Sequence, residues 1–162
     1  MEQGELALDE LYREVVLDHY RHPRGRAPLP RVDATAHGFN PVCGDDVVLS
    51  VAVGEEKVGG VQVTGKGCAI CTASGSMLAE LVPGRSLAEV EALTDAFRTM
   101  MHGGDPPAGV DIGDLPSLQG VRAFALRIKC AMLPWVTLEQ ALLAPPSAGA
   151  TPVATTEGEG LP

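Results

Sequence analysis

Aromatic side chains are scarce in this sequence: three Phe, two Tyr and one Trp, 4% of 162 residues. Packing must therefore rest on Val, Leu and Ala, and a hydrophobic content of 45% is enough for one ordinary core. Basic residues are also few. Twelve Lys and Arg against twenty-one Asp and Glu leave a formal charge of −9. That balance argues against a nucleic-acid partner, which would call for a basic patch or stripe. No apolar run approaches the roughly 20 residues that span a bilayer. The N-terminal "MEQGELALDELY" lacks a basic stretch followed by an apolar block, so it does not read as a signal peptide. The expectation is a cytoplasmic protein with no membrane partner, in which four cysteines are metal ligands or reactive thiols rather than disulfides.

Several catalytic signatures are missing too. "GKGCAICTASG" lacks the G-x-x-x-x-G-K-[ST] order of a phosphate loop, and no serine sits in a nucleophile motif. No second CxxC completes a zinc ribbon, and there is no internal repeat.

What is present reads as a small α+β domain with an antiparallel sheet of about three strands packed against helices. Leu8, Leu11, Tyr12, Val15, Val16 and Tyr20 recur at helical spacing, ended by Pro23 and Gly25. A Pro/Arg-rich connection over 24–37 leaves room for a short strand near Val32 to Ala36. "DVVLSVAV" (46–53) and "VQVTG" (61–65), joined by "GEEKVGG", read as an antiparallel hairpin. A helix is expected from Ile70 to Leu81. A second, opened by the Ser86/Glu89 capping box, runs to about Met101. Residues 102–116 form a Gly/Pro/Asp loop long enough to suggest an exposed functional excursion. Helical pattern resumes near Leu118, passes Arg127 and Cys130, and breaks around Leu133–Pro134 before "WVTLEQALL". The domain is placed at 1–144, and the Pro/Gly/Thr-rich segment 145–162 is read as a disordered tail.

The cysteines are Cys43, Cys68, Cys71 and Cys130. Cys43 lies in "NPVCGDD", just before the first hairpin strand, and Cys68 lies just after the second, at a helix start. In an antiparallel pair these two points share one end of the sheet, so Cys43 and Cys68 can meet. Gly44 lets the turn aim Cys43 and Asp45 at one point, and Cys130 sits on a late helix able to cross that end. Three thiolates and a carboxylate suit zinc or iron. The helix N-terminus lowers the thiol pKa of Cys68, and Lys66 and Lys129 could add to this. Spacing alone leaves other readings open: Cys130 as a buried small hydrophobe, Asp45 as a turn residue, CxxC as a redox dithiol. His19 and His22 suit the C-terminal dipole of the first helix.

"NPVCGDD", "GKGCAICTAS" and "RIKCAMLPW", together with "LYREVVLDHYRHPRGR", resemble the hallmarks of the IscU/NifU-like iron–sulfur cluster assembly family over about residues 8–143. The long interval between Cys68 and Cys130, and Lys129 where IscU scaffolds carry histidine, are similar to its SufU branch. The resemblance implies one zinc held by Cys43, Asp45, Cys68 and Cys130. It implies that Cys43 accepts persulfide sulfur from a SufS-type cysteine desulfurase, with a SufBCD-type scaffold downstream. Arg127, Lys129 and Lys66 are supporting residues. Two other readings accompany it: an IscU-like scaffold holding iron or an iron–sulfur cluster, and a non-catalytic adaptor with a structural zinc. Cys71 stands where the family usually has serine, which makes it a buried thiol or an extra relay or oxidation-prone site rather than a ligand.

Overall fold

The computed structural model describes residues 2–143 and 153–155. Its elements are α1 (Glu2–Arg21), β1 (Ala34–Asn40), β2 (Asp45–Gly54), β3 (Lys57–Lys66), α2 (Ala69–Leu81), α3 (Leu87–Met101), a 3-10 run (Leu115–Ala123), α4 (Ala125–Leu143) and β4 (Val153–Thr155). The α+β expectation holds: β3, β2 and β1 form an antiparallel sheet against the helices. Alternation along β2 sends Asp45, Val47, Leu49 and Val51 inward, where α4 covers them. Trp135, Phe97, Leu49, Met77 and Leu133 are fully buried. The Trp135 indole N–H, which must find a partner when buried, donates to Ser74 Oγ at 3.1 Å.

Several boundaries differ from the sequence expectation. The β2–β3 turn needs only Glu55 and Glu56, both at positive φ, so Lys57–Gly60 extends β3. β1 starts later than Val32 and runs on to Asn40, because its pairing with β2 carries it to the next turn. Leu11 and Tyr20 of α1 point outward. The inward seam passes through Val15, Val16 and buried His19, whose polar ring is satisfied by side chains of other elements. Leu8 lies outside the described side chains.

The loop after α3 is tied back onto the core rather than free. Val110 and Ile112 pack on it, and Asp114 reaches His19. The late helix is not broken at Pro134. Proline forfeits one backbone bond, to the Cys130 carbonyl, but buried Pro134 packs near Gly75 and α4 continues. The break comes earlier, at extended Phe124, so Leu118 belongs to the 3-10 run. Within the segment read as a disordered tail, Val153–Thr155 pairs parallel to His37–Phe39; the rest of that segment lies outside the described residues. Among the described residues no helix is long and apolar enough to cross a membrane.

Candidate metal centre

The turn between β1 and β2 is only residues 41–44. Gly44, at φ +73°, lets its N–H donate to the Asn40 carbonyl at 2.8 Å and close the turn. Asn40 Oδ1 accepts the Val42 N–H at 3.2 Å, and its Nδ2 donates to Cys130 Sγ at 3.7 Å. This leaves Cys43 exposed at the tip of a braced loop.

Asp45 is the first inward residue of β2 and is 1% exposed. Strand alternation turns its neighbour Asp46 to the other face, against His37. Register places Asp46 opposite Lys66, so the chain leaving β3 passes Asp45 as it enters α2. There Asp45 Oδ1 accepts the Cys68 N–H at 2.8 Å, and Oδ2 lies 3.9 Å from Cys68 Sγ. Cys68 is the N-cap of α2, its sulfur accepting the Cys71 N–H at 3.4 Å. Cys130, fully buried on α4, donates to Cys43 Sγ at 3.2 Å and sits 3.6 Å from the Leu126 carbonyl.

The ligand atoms of Cys43, Asp45 and Cys130 all lie within 4.8 Å of one another, and Cys68 adjoins through Asp45. Sulfurs each about 2.3 Å from a tetrahedral zinc would lie roughly 3.8 Å apart. The Cys43 and Cys130 sulfurs, 3.2 Å apart, lie a few tenths of an ångström inside that value, and Cys68 Sγ lies 3.9 Å from the Asp45 carboxylate. Soft sulfur donors with one carboxylate, mostly buried, fit a thiophilic ion.

Electrostatics separates the thiols. A hydrogen bond from Cys130, then the Cys71 amide, lowers the Cys68 pKa to about 6. The same pairing with Cys68, followed by burial, pushes the Cys130 thiol up. Burial alone is the main cause raising Cys71. The Arg127 guanidinium faces the Cys68 and Cys130 sulfurs, and their negative charge raises its own pKa. Arg127 is thus brought to the site. Lys66, exposed at the end of β3, and Lys129, half-buried on α4, make no hydrogen bond or ion pair to it among the described residues.

Asn40 was missed by sequence reasoning. The signal was the Asn-Pro opening of "NPVCGDD", which marks a turn whose side chain bonds its own backbone. The bond to Cys130 could not be read from it.

The sequence profile of the NifU-like N-terminal domain matches residues 11–142. The chain is 37% identical over 133 residues to the zinc-dependent sulfurtransferase SufU of Bacillus subtilis, covering 82% of this chain and 90% of that protein. It is 40% identical over 135 residues to the iron–sulfur cluster assembly scaffold protein IscU of Streptococcus pyogenes, covering 83% and 84%. Among solved structures, a candidate cluster assembly scaffold for the SUF system from Fervidobacterium islandicum superposes with a TM-score of 0.75 at 29% identity, covering 80% of this chain and 94% of that one. With sequence profile, relatives and fold in agreement, the chain belongs to the NifU-like N-terminal domain family of iron–sulfur cluster assembly proteins.

Proposed function

We propose that this protein is a zinc-dependent sulfur carrier that takes persulfide sulfur from a SufS-type cysteine desulfurase and passes it toward a SufBCD-type scaffold. Cys43, Asp45, Cys68 and Cys130 would hold the zinc. The observation that carries this reading is the asymmetry of the four ligands. Asp45 and Cys130 are buried and Cys68 is fixed as a helix cap, while Cys43 alone is exposed on a turn.

Zinc supplies stable thiolates without redox chemistry of its own. The Cys43 thiolate attacks the terminal sulfur of the partner's cysteine persulfide. A sulfur–sulfur bond forms on Cys43, the partner's bond breaks, and the partner's thiolate leaves. Arg127 supplies a fixed cation beside the anionic sulfurs. An open hollow of about 410 Å³, lined by Cys68, Ile70, Val121, Phe124 and Arg127, lies next to the site and leaves room for a partner's segment.

The purified protein should carry about one zinc per chain, the number that one set of four such donors holds, and should raise desulfurase turnover. Cys43→Ala should abolish the stimulation while the protein stays folded. Undiminished stimulation by that variant would rule out the acceptor role.

A second reading is a scaffold on which an iron–sulfur cluster is built, supported by the 40% identity to a protein of that name. The same thiolates can hold iron. Anaerobic reconstitution giving a visible-absorbing cluster that transfers to an apo-protein would favour it.

A further inference from the structure

Cys71 has no part in the chemistry above, and its placement is unusual. α2 and α3 begin in the same way. In α3, Ser86 at the N-cap accepts the Glu89 N–H at 3.1 Å, and the Glu89 side chain folds back to the Ser86 N–H at 3.1 Å. In α2, Cys68 occupies the N-cap and accepts the Cys71 N–H. Cys71 therefore stands at the position whose side chain in a capping box reaches back to the cap.

Its thiol does fold back. A Cβ placed on Gly67 would lie only 3.0 Å from Cys71 Cβ and Sγ, so the Cys71 side chain lies against the residue preceding Cys68. Cys71 is 1% exposed and packs in one small cluster with Cys130, Val47 and Leu133, with Cys68 against it. Cys68 itself is only half-buried, beside the open hollow. The arrangement is a half-buried sulfur at a helix cap, bordering an open hollow, with a buried thiol three residues on.

We infer that Cys68 and Cys71 form an oxidisable pair, with Cys71 as the resolving thiol toward hydroperoxides. The Cys68 thiolate attacks the peroxide: an S–O bond forms, the O–O bond breaks, and hydroxide leaves. The Cys71 thiol then attacks the sulfenic sulfur. The S–S bond forms, the S–O bond breaks, and the oxygen departs as water with the Cys71 proton. Each sulfur is oxidised by one electron and the peroxide is reduced by two. A disulfide sulfur is no longer a thiolate ligand, so the pair converts peroxide into loss of metal. Without Cys71, the sulfenic acid would proceed to forms that thiols do not restore. The consequence for zinc rests on the sulfur-carrier reading, whereas the disulfide itself does not.

The test uses the full chain, zinc-loaded and metal-free, treated with hydrogen peroxide, alkylated and mapped by peptide mass. The expected product is a Cys68–Cys71 disulfide, formed in step with zinc release to a chromogenic chelator and reversed by dithiothreitol. In Cys71→Ser, thiol recovery after dithiothreitol should fall several-fold, with sulfinic acid accumulating at Cys68. Cys71→Ala should behave alike, which separates the lost thiol from any effect of a buried hydroxyl. A Cys43–Cys130 disulfide as the main product, or thiol recovery in both variants as complete as in the unaltered protein, would overturn the pair. Protein that binds no zinc would defeat the carrier reading, and mapping of the metal-free form would still decide this one.

Discussion

Two clusters of titratable side chains organise the polar interior, and they balance charge in opposite ways. Around His19 the protein supplies its own cation. Arg24 Nε lies 3.2 Å from Glu80 Oε1, and its NH2 group lies 2.8 Å from Asp18. Ser76 Oγ accepts the Arg24 N–H at 2.9 Å and lies 2.7 Å from His19 Nδ1; the Arg24 guanidinium, which can only donate, lies 3.3 Å from the same ring nitrogen and makes it the acceptor. That leaves His19 Nε2–H to donate to Asp114 at 2.9 Å. Donors and acceptors close on each other, tying α1, α2 and the loop before the 3-10 run together. The Cys43 cluster has a carboxylate and three thiols, whose contacts with one another include the 3.2 Å approach of two sulfurs. Its nearby guanidinium, Arg127, stands on an exposed side chain. His19, Glu80 and Asp114 also lie within ligand distance of one another. Proximity alone therefore does not distinguish a candidate metal centre from a latch; the softness of the sulfur donors favours the cysteine cluster for the proposed zinc.

The largest expected effect breaks the symmetry of that comparison. Cys130→Ser should weaken zinc binding by about 100-fold or more, the upper end of what even outer-shell changes cost, read by chelator competition. His19→Ala should leave zinc stoichiometry unchanged yet lower unfolding free energy by about 2 kcal/mol, because Ser76 and Asp114 lose a buried partner. Zinc lost in the His19 variant, or retained at full affinity in the Cys130 variant, would reverse the two assignments.

The two clusters were not equally legible in the sequence. Cys43, Asp45 and Cys68 could be brought together from strand order alone, because the two ends of a hairpin must meet. Period-two alternation also decides between Asp45 and Asp46 once β2 is known to start at Asp45. The His19 latch could not be read this way. Its partners Ser76, Glu80 and Asp114 lie on separate elements whose docking depends on tertiary packing, and the helix-dipole explanation of His19 gave no hint of burial. Pro134 misled for a related reason: a local rule for helix breaking was outweighed by contacts with Gly75 that no local pattern encodes.

Asn40 tests how far the proposed metal centre extends beyond its four candidate donors. Its side chain both braces the Cys43 turn and donates to Cys130. Asn40→Ala should weaken zinc binding about 10-fold, or ~1.4 kcal/mol, as expected for a group that orients a ligand. It should also slow sulfur acceptance by Cys43 in single-turnover assays. Unchanged affinity with unchanged acceptance would confine the site to its four donors.

The smallest effect lies at the far end of the same two strands. Asp46 pairs with Lys66 near the cysteines, whereas Gly54 pairs with Lys57 at the other end. There Glu55 and Glu56 hold φ of 53° and 63° without a glycine. Both values suit a two-residue hairpin turn for which Asn-Gly is the favoured pair. The two carboxylates also sit next to each other in a protein of charge −9. Replacing them together, Glu55→Asn with Glu56→Gly, should remove backbone strain and raise stability by about 0.5–1 kcal/mol, measured by urea denaturation. Zinc affinity and peroxide response should not change, because the turn touches neither cluster and lies at the opposite end of the β2–β3 pair. A gain in stability accompanied by a change in metal affinity would mean that the hairpin transmits strain to Asp45 and Cys68. The separation of the proposed metal centre from the rest of the fold would then fail at its most distant point.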